Sequence, residues 1–124
     1  MAPATLKKRS EFLWVRGGLR WSTPGFVLEA RARPDTSAPG SARFGFTVSK
    51  KVGGAVERNR IKRRLRALTA GLAPGRTLPG FDYVLIARSA AMARSFADLR
   101  SDLDQALTRV HQPPGQKRRG AKNA

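Results

Sequence analysis

Residues 43–66 read RFGFTVSKKVGGAVERNRIKRRLR, a strand, a turn with two glycines and a helix crowded with arginine. The alternation predicts a strand over residues 42–50, with Phe44, Phe46 and Val48 on one face and Arg43, Gly45, Thr47 and Ser49 on the other. The second face has two readings: plain solvent exposure, or a floor where Gly45 removes a side chain and lets a flat ligand approach. A helix is predicted over roughly residues 55–70, ended by Gly71 and Pro74. Val56, Ile61, Leu65 and Leu68 are spaced as its buried side. At about 100° per residue, Leu65 and Leu68 fall within about 40° of Ile61.

The rest of that helix is charge. From Lys50 to Arg66 there are eight basic residues and one acid. Arg58, Lys62 and Arg66 follow one flank of the apolar seam, Arg60 and Arg64 the other, and Asn59 and Arg63 point away. Like charges four apart cost a few tenths of a kcal/mol each in an isolated helix. A polyanion laid along the helix turns that repulsion into attraction and releases counterions. Arginine predominates, and its planar fork suits phosphate. A solvated surface helix and a generic polyanion patch are the bland alternatives. Gly53-Gly54 could serve a phosphate at the helix N-terminus or simply turn the chain; the spacing is not that of a Walker A loop.

The whole chain agrees with this reading. Its 124 residues allow one domain, and 25 Lys+Arg against 8 Asp+Glu give a formal charge of +17 and a pI near 11.9. An excess this large points to a polyanionic partner, nucleic acid before an anionic membrane surface. The absence of cysteine excludes disulfides, thiolate metal sites and a cysteine nucleophile. No apolar run approaches the roughly 18 residues of a membrane span, and no signal peptide is read at the start. A cytoplasmic location is expected.

Outward from the central stretch, residues 1–7 read as a flexible lead. Ser10 is a candidate cap for a short helix that stops at Gly17-Gly18. Residues 25–33 alternate as a strand, Phe26, Leu28, Ala30 and Ala32 against Val27, Glu29, Arg31 and Arg33. Residues 34–41 are turn-rich. Residues 81–88 are apolar on both alternations, as a strand covered on both faces would be. Ser95 with Asp98 opens a last helix whose stripe is Phe96, Leu99, Leu103, Leu107 and Val110. From Gln112 to Ala124 the chain has two prolines, four basic residues and no acid, and reads as a disordered tail. The domain proper is expected over 8–111, α+β, with helices packed on an antiparallel or mixed sheet.

No catalytic constellation emerges. His111 is the single histidine, and a helix-dipole interaction explains its position. The carboxylates Glu11, Glu29, Asp35, Glu57, Asp82, Asp98, Asp102 and Asp104 are scattered, the last three on one helix serving its first turns and solvent face. None forms an evident acid/base or metal pair. Composition alone reads as a binding protein.

The ordered run from Arg43 to Arg66, a strand ending in Ser-Lys-Lys, a glycine turn and then Arg-Asn-Arg-x-Lys-Arg on a helix, resembles the signature of the bacterial ribonuclease P protein component. LKKRSEF with the following GG, then FVL and DYVLIAR, agree. The resemblance covers about residues 6–110. It implies a single-domain α/β sandwich of α-β-β-β-α-β-α order, a central mixed sheet, a left-handed crossover helix and a short extra strand near Leu19–Trp21. It implies a partner, the catalytic RNA that removes the 5′ leader of precursor tRNA with Mg²⁺, and a protein that supplies no catalytic side chain and binds no metal at a recognisable site. Precursor tRNA is the second partner; no membrane and no protein partner are expected. By position, Ser49, Lys50, Lys51, Arg58, Asn59, Arg60, Lys62, Arg63 and Arg66 would bind RNA. Phe12, Arg16, Phe26, Arg43 and Thr47 would line the leader cleft. Arg16 stands where relatives can carry a second aromatic, and Glu29 where one may offer a tyrosine. Trp14 and Trp21 have two readings, compensation for those aromatics in the cleft or partly buried packing, the second favoured. A structural RNA-binding protein, such as a ribosomal protein, and a protein-only nuclease are the competing functions.

Overall fold

The structure, a computed structural model, describes residues 4–6, 8–33, 42–72 and 75–111. Its elements run β1 (Ala4–Thr5), α1 (Arg9–Arg16), β2 (Leu19–Ser22), β3 (Phe26–Ala32), β4 (Arg43–Thr47), α2 (Ala55–Ala70), β5 (Phe81–Ala87) and α3 (Phe96–Val110), with a 3₁₀ turn at Ser89–Ala91 before α3. The five strands form one mixed sheet in the order β1-β4-β5-β3-β2. β4 lies parallel to β5 and α2 is the crossover between them; β3 runs antiparallel to both β5 and β2. The expected α-β-β-β-α-β-α order is therefore present, preceded by one short strand. The predicted disordered tail and the turn over 34–41 lie outside the described residues.

The central position of β5 explains why it is apolar on both alternations. One sheet face, carrying Phe26, Leu28, Ala30, Phe44, Tyr83 and Leu85, packs under α2 and α3 and forms the main core. Ile61, Leu65 and Leu68 of α2 and Leu99, Leu103, Leu107 and Val110 of α3 close it from above. On the opposite face a smaller cluster of Leu6, Val15 and Val84, flanked by Phe12, Trp14 and Ile86, lies under α1. Trp21 is buried in the main core and Trp14 is half-buried beside the smaller one, so both tryptophans serve packing.

Several expectations are corrected. Val56 is 70% exposed. Five residues separate it from Ile61, which places it about 140° round the helix from the seam. Phe96 is 37% exposed, outside the core, with the Arg100 guanidinium 5.8 Å from its ring centre. The lead is ordered in part: Ala4–Thr5 pair with Arg43 and Phe44, and Leu6 is buried. α1 begins one residue before Ser10, with Lys8 at its cap, because the Glu11 carboxylate reaches back to accept the Lys8 N–H at 2.9 Å. Asp102 does not face solvent. It is buried and takes both arms of Arg94, at 2.8 and 3.0 Å.

Gly45 settles the question of the second face of β4. A Cβ there would lie 2.5 Å from Cε2 and 2.7 Å from Cζ of Phe12, and 3.1 Å from Leu6. The side chain missing at Gly45 makes room for the protein's own α1, not for solvent or a ligand. Gly45→Ala is expected to cost about 1–3 kcal/mol by overpacking. A second change, Phe12→Leu, should restore part of that loss in urea denaturation. A neutral Gly45→Ala would mean that Phe12 does not rest on the sheet.

Candidate nucleic-acid interface

α2 owes its position to the seam and its surface to everything else. It starts after Gly54, whose carbonyl accepts the Arg58 N–H at 2.9 Å, and ends at Gly71. With the seam facing the sheet, an arc of roughly 160° is left outward, from Lys62 through Arg66, Asn59 and Arg63 to Arg60. Asn59, Arg60, Arg63 and Arg66 are exposed and Lys62 is half-exposed. Among the described residues none of these five side chains has an internal hydrogen bond or ion pair. Small residues, Ala55, Ala67 and Ala70, stand exposed between them, so the cations are not screened by bulk.

Two arginines of this helix are otherwise engaged. Arg58 donates to the Gly53 carbonyl at 3.1 Å, which ties the first turn to the glycine lead-in. Arg64 donates to the carbonyls of Ala91, Met92 and Arg94, at 2.8, 3.1 and 2.5 Å. Its fork therefore fastens α2 to the turn that opens α3. The expected second rail of Arg60 and Arg64 is reduced to Arg60, and the charge presented to a partner is centred on the outward ridge instead.

Ser49, Lys50 and Lys51 leave the C-terminal end of β4 in a turn closed by the Val52 N–H on the Ser49 carbonyl, 3.1 Å. All three are exposed. Because β4 and β5 are parallel, with Thr47 opposite Ile86, the end of β5 emerges on the same edge and brings exposed Arg88 beside them. Arg88 keeps one arm on the Thr23 carbonyl at 3.1 Å. Sequence reading passed over Arg88, which lies outside the basic run. Register was the signal that places it: it stands two residues past Ile86, as Ser49 stands two past Thr47.

The residues expected to line a cleft are separated by the sheet. Phe26 is fully buried on the face under α2 and α3 and is excluded. Strand parity is the reason: Val27, not Phe26, shares a row with Ile86 and Thr47. That row, Thr47–Ile86–Val27–Ser22, lies on the α1 side, with Thr47 exposed and Ile86 and Ser22 half-exposed. Phe12 is half-buried beside it and Arg16 is exposed at the last turn of α1. The strip and the outward ridge of α2 thus occupy opposite faces and meet only round the edge held by Ser49–Lys51 and Arg88. The glycine turn carries the chain from one face to the other; it does not set α2 beside the strip.

Arg43 stands at the far row. Its Nε and Nη2 donate to Asp82 at 2.8 Å each, and its Nη1 to Glu11 at 3.0 Å. Arg33 adds a 2.6 Å bond to the same Asp82, which is 1% exposed. The hydrogen bonds to Asp82 hold the Arg43 guanidinium charged even beyond its ordinary value, against the opposing effect of burial. Glu29 is buried and pairs with exposed Arg20 at 3.3 Å. It presents no aromatic surface to the strip. His111 is bonded to buried Tyr83, Nε2 to Oη 2.8 Å. Tyr83 also accepts the Leu78 N–H at 2.9 Å, so its hydroxyl joins the residue 78 turn to the end of α3. Burial pushes the Tyr83 hydroxyl up. Among the described residues no group of three His, Cys, Asp or Glu is placed to hold a metal ion. No described helix is long and apolar enough to cross a membrane.

A family model described as Ribonuclease P matches residues 2–111. The ribonuclease P protein component of Erythrobacter litoralis is 43% identical over 117 residues, covering 94% of this chain and 93% of the relative. That of Paramagnetospirillum magneticum is 46% identical over 107 residues, 85% of this chain and 80% of the relative. Among solved structures, the RNase P protein from Thermotoga maritima superposes with a TM-score of 0.72 at 27% identity, over 87% of this chain and 98% of that one. The Staphylococcus aureus RNase P protein gives 0.70 at 28% identity, over 84% and 92%.

Proposed function

The chain belongs to the ribonuclease P protein component family, and from that premise we propose a division of labour between its two faces. The outward ridge of α2, with Asn59, Arg60, Lys62, Arg63 and Arg66, binds the catalytic RNA subunit. The strip beside α1, with Phe12, Arg16, Thr47 and Ile86, receives the single-stranded 5′ leader of precursor tRNA. Ser49, Lys50, Lys51 and Arg88 bridge the two round the sheet edge.

The observation that carries this reading is the set of arginines and the lysine on α2 left without internal partners. Phosphates supply the missing acceptors, and each neutralised phosphate releases counterions. Arginine forks on phosphate fix orientation as well as affinity. On the other face, bases of a single strand stack on an aromatic ring without regard to sequence. Phe12 offers the ring and Arg16 a guanidinium for stacking or for phosphate. Phosphodiester hydrolysis and its Mg²⁺ belong to the RNA in this reading; the protein binds, orients and discriminates. A mature tRNA lacks the leader and loses the strip contacts, so the complex prefers precursor.

The test is leader removal from precursor tRNA by a bacterial ribonuclease P RNA at low Mg²⁺, with and without the protein. The expected result is stimulated cleavage with protein and none by the protein alone. No stimulation would refute the assignment, and cleavage without RNA would point to a protein nuclease.

A further inference from the structure

Arg43 lies on the sheet face that carries the strip, yet its geometry suits a different task from phosphate binding. Each of its three guanidinium nitrogens has an acceptor within the protein, the bidentate edge on Asp82 and Nη1 on Glu11. A phosphate taking that edge would have to displace a buried carboxylate. Arg33 pairs with Asp82, and Arg43 with both Asp82 and Glu11, so a phosphate arriving at Arg43 would meet two carboxylates at close range.

Glu11 is the link. Its Oε1 accepts the Lys8 N–H at the start of α1, and its Oε2 takes Arg43. One carboxylate thus closes the first turn of the helix and fastens that turn to β4. The next residue, Phe12, is set down on Gly45 two residues along the same strand. At the other end of α1, Arg31 lies 3.5 Å over the Trp14 ring and donates to the Trp14 carbonyl at 3.0 Å. α1 has eight residues and is held by a sheet arginine at each end.

We infer that Arg43 is a positioning residue for leader recognition, fixing α1 and its Phe12 ring over the sheet through Glu11, and does not contact the leader phosphates. The inference rests on the division of faces proposed above. It makes a prediction of opposite sign to the phosphate-ligand alternative. Glu11→Gln removes one negative charge and weakens the Nη1 tie, while the Nε–Nη2 edge stays on Asp82. If Arg43 bound phosphate, the variant would bind precursor tRNA more tightly. If Arg43 positions α1, discrimination of precursor from mature tRNA falls by about tenfold, the worth of one charge-assisted hydrogen bond.

The experiment measures affinity of the reconstituted RNA–protein complex for precursor and for mature tRNA, with affinity of the protein for the catalytic RNA as the internal reference. Wild type, Glu11→Gln and Arg43→Lys are compared at a temperature where thermal unfolding shows each folded. Lysine keeps the charge for a phosphate but cannot bridge Asp82 and Glu11 together. A fall in discrimination for both variants, with catalytic-RNA affinity unchanged, supports the inference. Unchanged or increased discrimination in either folded variant overturns it. Wild type that fails to prefer precursor would instead refute the leader assignment itself, so the two failures are distinguishable.

Discussion

Asp82→Ala is expected to destabilise the fold by about 3 kcal/mol, read as a lower urea midpoint at unchanged slope. Asp82 is buried on β5, the central strand, and accepts from Arg33 and from the Nε–Nη2 edge of Arg43. Its removal leaves two guanidinium groups facing each other without their shared anion. The side chains of Arg33 and Arg43 are 19% and 31% exposed, so water can reach both, and the loss falls at the lower end for broken buried pairs. The carboxylate also ties Arg33, just past β3, and Arg43 of β4 to β5, so the cost is not that of one surface bridge. A loss below 1 kcal/mol would show that the pairs are solvent-screened and contribute little.

The second large effect is on RNA. Replacing Arg60, Arg63 and Arg66 together with alanine is expected to weaken binding to the catalytic RNA by about two orders of magnitude near 0.1 M salt. The plot of log affinity against log salt should become shallower by about 2, since each lost phosphate contact removes roughly 0.7–0.9 from the slope. Stability should change little: all three side chains are exposed, without internal partners, and alanine favours the helix. Arg64→Ala makes the contrast. It removes three hydrogen bonds to the turn before α3, so it should lower stability while leaving the salt slope near that of wild type. If the triple variant unfolds or keeps its slope, the outward ridge is not the RNA surface.

The parts of this protein that follow a period were legible in its sequence. The seam Ile61–Leu65–Leu68 and the stripe Leu99–Leu103–Leu107–Val110 both obey helical spacing and both are buried. The double apolar alternation of 81–88 identified the central strand. What escaped depends on partners distant in sequence. Phe26 enters the cleft only through the family resemblance; its parity relative to Thr47 is set by a register passing through β5, which neither strand encodes alone. Gly45 was ambiguous because the ring that occupies its vacancy lies 33 residues earlier, at Phe12. Asp102 looked like a solvent-facing acid because its partner, Arg94, lies in the turn before the helix. Strand Ala4–Thr5 is too short for any alternation to be seen. The family signature marked the basic helix, but arginines of identical type within it divide between a strut, Arg64, and partner-seeking groups such as Arg63. Only the carbonyls around each distinguish them.

Site-specific crosslinking tests most directly the claim that RNA lies along the outward ridge of α2. A photoreactive side chain at Ala67, exposed on that ridge, is compared with one at Ser101, exposed on α3. Both proteins are assembled with the catalytic RNA before irradiation. The account predicts an efficient, localised crosslink to the catalytic RNA from position 67 and little from position 101. Equal crosslinking from both, or crosslinking from 101 alone, would contradict it.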